Sequence, residues 1–102
     1  MNILIIQENG RHEKNRNFRE CFSMQRALEF FDNDVDVWGL GHLNFEKQID
    51  YDSYDLIVNL ENYDEDNWVP NLSKVNAKKI LWVIDAHVRG MEVYNEEYER
   101  GR

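Results

Sequence analysis

The sequence predicts an α/β fold, an open parallel sheet of about four strands with flanking helices. Short apolar runs rich in β-branched residues are typical of strands that are buried on both faces. A segment with helical spacing separates the first two of these runs, and such alternation favours a parallel sheet. The chain has 102 residues. That length is typical of one domain, so residues 1–102 are predicted to form a single domain.

The first strand is predicted at residues 3–7, where ILIIQ is continuously apolar until its last residue. A helix is predicted over 17–33 because apolar residues recur there at three- and four-residue steps. Asn15 or Asn17 is positioned to cap its start, and DND at 32–34 is expected to end it. The predicted apolar stripe of this helix consists of Phe18, Cys21, Met24, Leu28 and Phe31.

Three further strands are predicted, at residues 35–39 (VDVWG), 55–60 (DLIVNL) and 79–85 (KILWVID). A final helix is predicted at 90–100, with Met91, Tyr94 and Tyr98 on one stripe. This alternation favours a Rossmann-like or flavodoxin-like sheet with the strand order 2-1-3-4. The dinucleotide-type order 3-2-1-4 is the alternative.

Composition limits the classes of partner. The formal net charge of −8 is repulsive to a phosphate backbone, so nucleic acid is not an expected partner. No stretch approaches the roughly 18 apolar residues of a membrane span. Cys21 is the only cysteine, which excludes a disulfide within the chain and favours a reducing, cytoplasmic location. A basic cluster at residues 11–19 is interpreted as a solvated face or as a loop for an anionic ligand.

Polar residues are expected at the carboxyl edge of the predicted sheet, because open parallel sheets bind ligands there. His12, His42 and His87 all follow predicted strands, so we expect the three histidines on one side of the molecule. Ordinary loop polarity is the alternative explanation. The candidate substrate-binding residues at this edge are Glu8, Asn9, Gly10, Arg11, His42, Glu61 and Asn62.

Asp85 and His87 stand at the end of the fourth predicted strand. Residues two apart on a strand share a face, so both are predicted to point towards one cleft. The alternative is that Asp85 caps a following helix. Together with Glu61 this pair matches no zinc-site spacing, and no metal site is predicted.

Other residues are interpreted structurally. The segment GLGHLN at 39–44 lacks the third glycine of a dinucleotide-binding motif, so Gly39 and Gly41 are expected to permit a tight turn. Cys21 is expected to be inert core. Packing in the core or at its rim is predicted for Trp38, Trp68 and Trp82.

Four segments in order, ILIIQENGRHEKNRNFREC, VDVWGLGH, YDLIVNLENY and KILWVIDAHVRG, resemble the start of GT-B-type glycosyltransferases. In that family two Rossmann-like domains face each other, the first binding the acceptor and the second the nucleotide-sugar. The resemblance implies that this chain is the front part of the acceptor-side domain. It further implies a truncated chain that is inactive alone, has no cofactor of its own and binds a glycan or other hydroxyl-bearing acceptor. A homo-oligomer is expected because the unfinished sheet leaves an uncovered edge. A nucleotide-sugar donor is implied for a full-length relative.

The resemblance also assigns residues. Loop 8–16 matches the first glycine-bearing loop of the family, and Asp85 with His87 matches an acid-histidine pair that faces the cleft. This implies that His87, oriented by Asp85, is the catalytic base, with His12 as the second candidate. Gly10 stands alone where the family has paired glycines, which is a departure at the expected phosphate contact.

Two alternatives of other classes remain. A receiver-like signalling domain shares the 2-1-3-4 order, although its third strand would need an aspartate where this chain has Asn59-Leu60-Glu61. A stand-alone interaction module that self-associates through an unfinished sheet edge is the other.

Overall fold

The computed structural model describes residues 1–10, 17–60 and 68–82. Four strands and one α-helix within these ranges agree with the predicted elements, although the ends of each differ by one or a few residues. In chain order, the elements are β1 (Asn2–Ile6), α1 (Glu20–Phe30), β2 (Asp34–Trp38), a 3-10 turn (Tyr51–Ser53), β3 (Leu56–Leu60) and β4 (Lys78–Trp82). The predicted helix at 90–100 and residues 83–85 of the fourth predicted strand lie outside the described residues.

All strand pairs are parallel, and the spatial order is β2-β1-β3-β4. This confirms the predicted open Rossmann-like sheet and excludes the alternative order 3-2-1-4. Ile6 at the end of β1 is in register with Trp38 of β2 and with Asn59 of β3. The segments that follow these strands therefore start at one edge of the sheet.

The central strand β1 supplies residues to two apolar layers, because successive side chains of a strand point to opposite faces. Ile3 and Ile5 pack towards α1 together with Cys21. Leu4 and Ile6 pack against the opposite face, where no described helix of comparable length lies. That second face is covered by apolar and aromatic side chains from the connecting segments, chiefly Phe45, Ile49, Tyr51, Tyr54, Trp68 and Leu72.

The helix is shorter than predicted, and the predicted stripe is wrong at both ends. Phe18 lies before the start of α1 and is 82% exposed, and Phe31 lies after its end and is 73% exposed. Phe22, absent from the predicted stripe, packs against the core in their place. Neither α1 nor any other helix in the described ranges is long and apolar enough to cross a membrane.

The start of α1 is capped by a residue from another element. Arg19 occupies the N-cap position, and its side chain makes no capping hydrogen bond. Gln7, just past the end of β1, instead accepts a hydrogen bond from the Cys21 backbone N–H at 2.9 Å. Asn17 does not cap the helix as predicted, because it lies two residues before the N-cap and its Oδ1 accepts from Asn9 Nδ2 at 3.2 Å. The other predicted cap, Asn15, lies outside the described residues.

We predict that Gln7→Ala lowers the free energy of unfolding by about 1–3 kcal/mol, because the buried Cys21 N–H loses its acceptor. Gln48→Ala is the matched control, since Gln48 is exposed and its replacement should change stability by no more than about 0.5 kcal/mol. Urea unfolding followed by circular dichroism measures both variants. Equal midpoints for the two would show that the Gln7 contact contributes nothing to the fold.

Candidate functional site

The described part of the carboxyl edge is built from the residues after β1 and after β2. It includes four of the predicted site residues, Glu8, Asn9, Gly10 and His42. Of the three histidines, only His42 can be located, and it lies at this edge in contact with the end of β1. The other predicted site residues lie outside the described residues: Arg11, His12, Glu61, Asn62, Asp85 and His87.

Glu8 is a buried carboxylate at the end of the central strand. Its side chain is 1% exposed, and its Oε1 lies 3.0 Å from Arg19 Nε. Burying a charge is costly unless a partner compensates it, so this ion pair holds the residue before α1 against β1. Arg19 is a member of the basic cluster identified in the sequence. Its guanidinium forms an ion pair with Glu8.

Asn9 joins the loop after β1 to the loop after β2. Its Nδ2 donates to Asn17 Oδ1 at 3.2 Å and to the Gly41 carbonyl at 3.3 Å. Its backbone N–H donates to the Leu40 carbonyl at 2.8 Å. Because both sides of this amide are occupied, Asn9 fixes the shape of the edge rather than offering a free donor.

The loop after β2 passes so close to β1 that glycine is needed. A Cβ at Gly39 would lie 2.5 Å from the Gln7 carbonyl oxygen and 2.8 Å from Trp68 Cη2. Gly41 has a φ of +89°, in the left-handed region that favours glycine. These positions confirm the expected tight turn, and the turn brings His42 back onto the end of β1.

His42 is held by contacts on two sides. Its Nε2 lies 2.8 Å from the Gln7 carbonyl oxygen, and its ring centroid lies 5.4 Å from that of Phe22. A carbonyl oxygen can only accept, so Nε2 carries the proton of the neutral ring. Burial lowers the pKa of His42 below its ordinary value of 6.5, and the hydrogen bond to Gln7 partly opposes this effect.

A cleft of about 340 Å³ opens beside this histidine, between α1 and the loop after β2. It lies on the β1–β2 side of the edge, whereas the strand order reverses between β1 and β3. The lining residues are Asn9, Asn17, Phe22, Gln25, Asp36, Val37, His42, Leu43 and Asn44.

Most of the cleft was not anticipated from the sequence. Asn9 and His42 were predicted site residues, but Phe22, Gln25 and Asn44 were not. Gln25 carried a usable signal, because it follows Cys21 by four residues and so places a polar group on the buried side of α1. Its Nε2 donates to the Val35 carbonyl at 3.1 Å, and Asn44 Nδ2 donates to the Val37 carbonyl at 3.3 Å.

Two other chemistries have little support within the described ranges. No three His, Cys, Asp or Glu side chains there come together as a metal site would require. Cys21 is completely buried, which confirms its prediction as core. Burial raises the pKa of its thiol to about 12, so the thiolate needed for nucleophilic chemistry is scarce at neutral pH.

The lowered pKa of His42 predicts a pH dependence of stability. Below pH 6.5 the unfolded chain binds a proton at this residue that the folded chain takes up only at lower pH. Stability should therefore fall as pH decreases from 6.5 through the lowered pKa, and His42→Gln should lack this contribution. Urea unfolding of both proteins across this range gives the difference, in which the other titrating groups cancel. A difference that is independent of pH would contradict the assigned environment.

Comparison with known proteins adds no assignment to this geometry. No family model matches the chain, and searches of curated proteins and of solved structures found no match either. The functional argument therefore depends on the contacts and charges of the described residues.

Proposed function

We propose that this chain is the acceptor-side domain of a GT-B-type glycosyltransferase, which binds a hydroxyl-bearing acceptor such as a glycan. The observation that supports this proposal best is the cleft of about 340 Å³ between α1 and the loop after β2. It combines a position at the carboxyl edge of a Rossmann-like sheet with a lining of mainly uncharged polar side chains, a few apolar side chains and one acid.

The composition of the lining suits a sugar. Amide and imidazole groups form hydrogen bonds with hydroxyls, and the half-buried ring of Phe22 offers apolar surface to the carbon skeleton of a ligand. Small-molecule sites commonly join apolar surface with a few positioned polar groups in this way. Such a lining supports acceptor binding more than it supports binding of a protein segment.

The charges of the lining favour an acceptor over a nucleotide-sugar. No Lys or Arg is among the residues that line the cleft, and Asp36 is their one acid. A diphosphate leaving group needs cations, a helix terminus or other positioned donors to stabilise its charge. In our proposal those groups belong to a second domain of the enzyme, so this chain needs no cofactor to bind its ligand.

The catalytic base stays a proposal from the family resemblance. His87 oriented by Asp85 is the first candidate and His12 the second, and all three lie outside the described residues. A positioned histidine base contributes roughly 10²–10⁴-fold to a rate. That contribution is lost without a bound donor, so we expect the isolated chain to transfer no sugar.

Thermal melts of the 102-residue chain test the proposal. Saccharides should raise the melting temperature, since a ligand at 100 times its dissociation constant stabilises a fold by about 2.7 kcal/mol. Gln25→Leu removes a lining amide and should reduce the shift, whereas Gln48→Leu, an exposed position outside the lining, should keep it. A larger shift with nucleotide-sugars than with any saccharide, or measurable sugar transfer, would overturn the acceptor-side assignment.

Self-association is our second proposal, and the edge strand β4 favours it. Among the described strands β4 pairs only with β3, while Ile80 and Trp82 are 42% and 54% exposed. A second copy placed antiparallel along β4 and centred on Ile80 would set Lys78 opposite Trp82 of the partner copy. That register opposes no like charges and buries apolar surface on both copies, so a symmetric pair is physically reasonable.

Sedimentation equilibrium at tens of micromolar should therefore detect a dimer of the wild-type chain. Ile80→Lys should shift it to monomer, because the substitution places two like charges opposite each other at the centre of the pair. Leu43→Lys is the control, since Leu43 is fully exposed and distant from β4 in the sheet order. A wild-type chain that stays monomeric would rule out this proposal.

A further inference from the structure

Each of the three side-chain amides around the cleft has one N–H committed to a backbone carbonyl. Gln25 Nε2 donates to Val35 at 3.1 Å, Asn44 Nδ2 to Val37 at 3.3 Å and Asn9 Nδ2 to Gly41 at 3.3 Å. These contacts orient each amide, since a carbonyl oxygen requires the nitrogen side of the amide to face it. The side-chain oxygen of Gln25 and the second N–H of its amide remain for other partners, so Gln25 can both accept and donate.

Asn44 has an unsatisfied hydrogen-bond acceptor. Its Oδ1 is buried at the wall of the cleft, and no described residue donates a hydrogen bond to it. A buried acceptor without a donor is unfavourable, but the same burial shields this oxygen from a ligand in the cleft, so Asn44 Oδ1 adds no contact to the subsite.

His42 extends the same pattern. The Gln7 carbonyl at 2.8 Å keeps the proton on Nε2, which leaves a lone pair on Nδ1 of the neutral ring. No described residue donates to Nδ1, while the ring itself lines the cleft. The backbone carbonyl of Gln7, just past the end of β1, therefore determines which ring nitrogen of His42 carries the proton.

We propose that this cleft is a donor-selective subsite, in which His42 Nδ1 and Gln25 Oε1 accept hydrogen bonds from hydroxyls of a neutral ligand. The proposal rests on the proposed function and deepens it, since it names the chemistry by which an acceptor is chosen. The subsite binds polyhydroxy compounds, discriminates against the same compounds once their hydroxyls are alkylated, and gives phosphate esters no advantage. His42 is thus a specificity-determining residue, and its contact with Gln7 is the means of that specificity.

The first test needs no ligand. Nitrogen NMR of the labelled chain above the pKa of His42 distinguishes the two neutral tautomers, and the His42→Gln spectrum identifies its signals among the three histidines. We expect a protonated Nε2 and an unprotonated Nδ1. A protonated Nδ1 would overturn the inference while leaving the proposed function intact.

The second test is NMR titration with matched ligands. Neutral monosaccharides, namely glucose, galactose and N-acetylglucosamine, should shift the His42 and Gln25 side-chain signals. Fully O-methylated glucose should bind at least about tenfold more weakly, as expected when its hydrogen bonds are lost. Glucose phosphate should bind no more tightly than glucose. Tighter binding of the methylated or phosphorylated sugar would contradict donor selection.

Two substitutions at one position separate specificity from structural support. His42→Asn places an acceptor oxygen near the position of Nδ1, and His42→Gln retains a donor for the Gln7 carbonyl. We expect saccharide affinity to survive within about threefold in His42→Asn and to fall by about tenfold in His42→Gln. The opposite order would show that His42 only supports the loop.

The failures of the two proposals are distinguishable. Saccharides that stabilise the chain without shifting His42 or Gln25 would sink the donor-selective subsite and leave the acceptor-side function standing. Saccharides that neither stabilise the chain nor shift these signals would sink both. Because the tautomer is measured on the wild-type chain, whose His42 signals can also be assigned through its backbone, a variant that fails to fold does not remove the test.

Discussion

The arrangement of this edge depends on Gln7, a fully buried amide at the end of the central strand. Its backbone N–H donates to the Trp38 carbonyl at 3.1 Å, and its carbonyl accepts from His42 Nε2 at 2.8 Å. Its side-chain oxygen accepts from the Cys21 N–H at 2.9 Å. One residue thus joins β1 to β2, to the start of α1 and to the loop that shapes the cleft. A buried amide is unfavourable unless its groups are satisfied, so these contacts hold the elements in one arrangement.

That arrangement works only because the neighbouring loop lacks side-chain bulk at one position. A Cβ placed on residue 39 would lie 2.5 Å from the Gln7 carbonyl oxygen, which is too close for any residue but glycine. The same position contacts Trp68, whose ring centroid lies 5.8 Å from those of Trp38 and Phe45. The cleft side and the aromatic layer on the opposite face therefore meet at a single glycine. The Gln7 carbonyl thus contacts both His42 and Gly39, and Gly39 in turn packs against Trp68.

The sequence predicted the strands because buried parallel strands are continuous apolar runs, a local signal that ILIIQ and DLIVNL display. Their order was favoured only by the rule for flavodoxin-like sheets, with 3-2-1-4 left as the alternative. The ends of α1 were predicted poorly because its cap comes from Gln7, outside the window that a local cap motif occupies. Asn9 and His42 were predictable as edge residues from the strand ends alone. Phe22 was not, since its role depends on how α1 turns against the loop after β2, which is a tertiary contact without a spacing rule. The spacing of Gln25 from Cys21 placed it on the buried side of α1, but not at the cleft.

Charge and hydrogen bonding at this edge lead to the same kind of ligand. The acidic chain, with a net charge of −8, already disfavours polyanions at long range. Locally, the Arg19 guanidinium lies 3.0 Å from the buried Glu8 carboxylate, so its positive charge is used in an ion pair within the fold. One amide N–H of Gln25 and one of Asn44 are used by backbone carbonyls, which reduces the donors that could contact phosphate oxygens. In our proposal the acceptors that select the ligand are His42 Nδ1 and Gln25 Oε1, and their natural partners are the hydroxyl groups of an uncharged molecule.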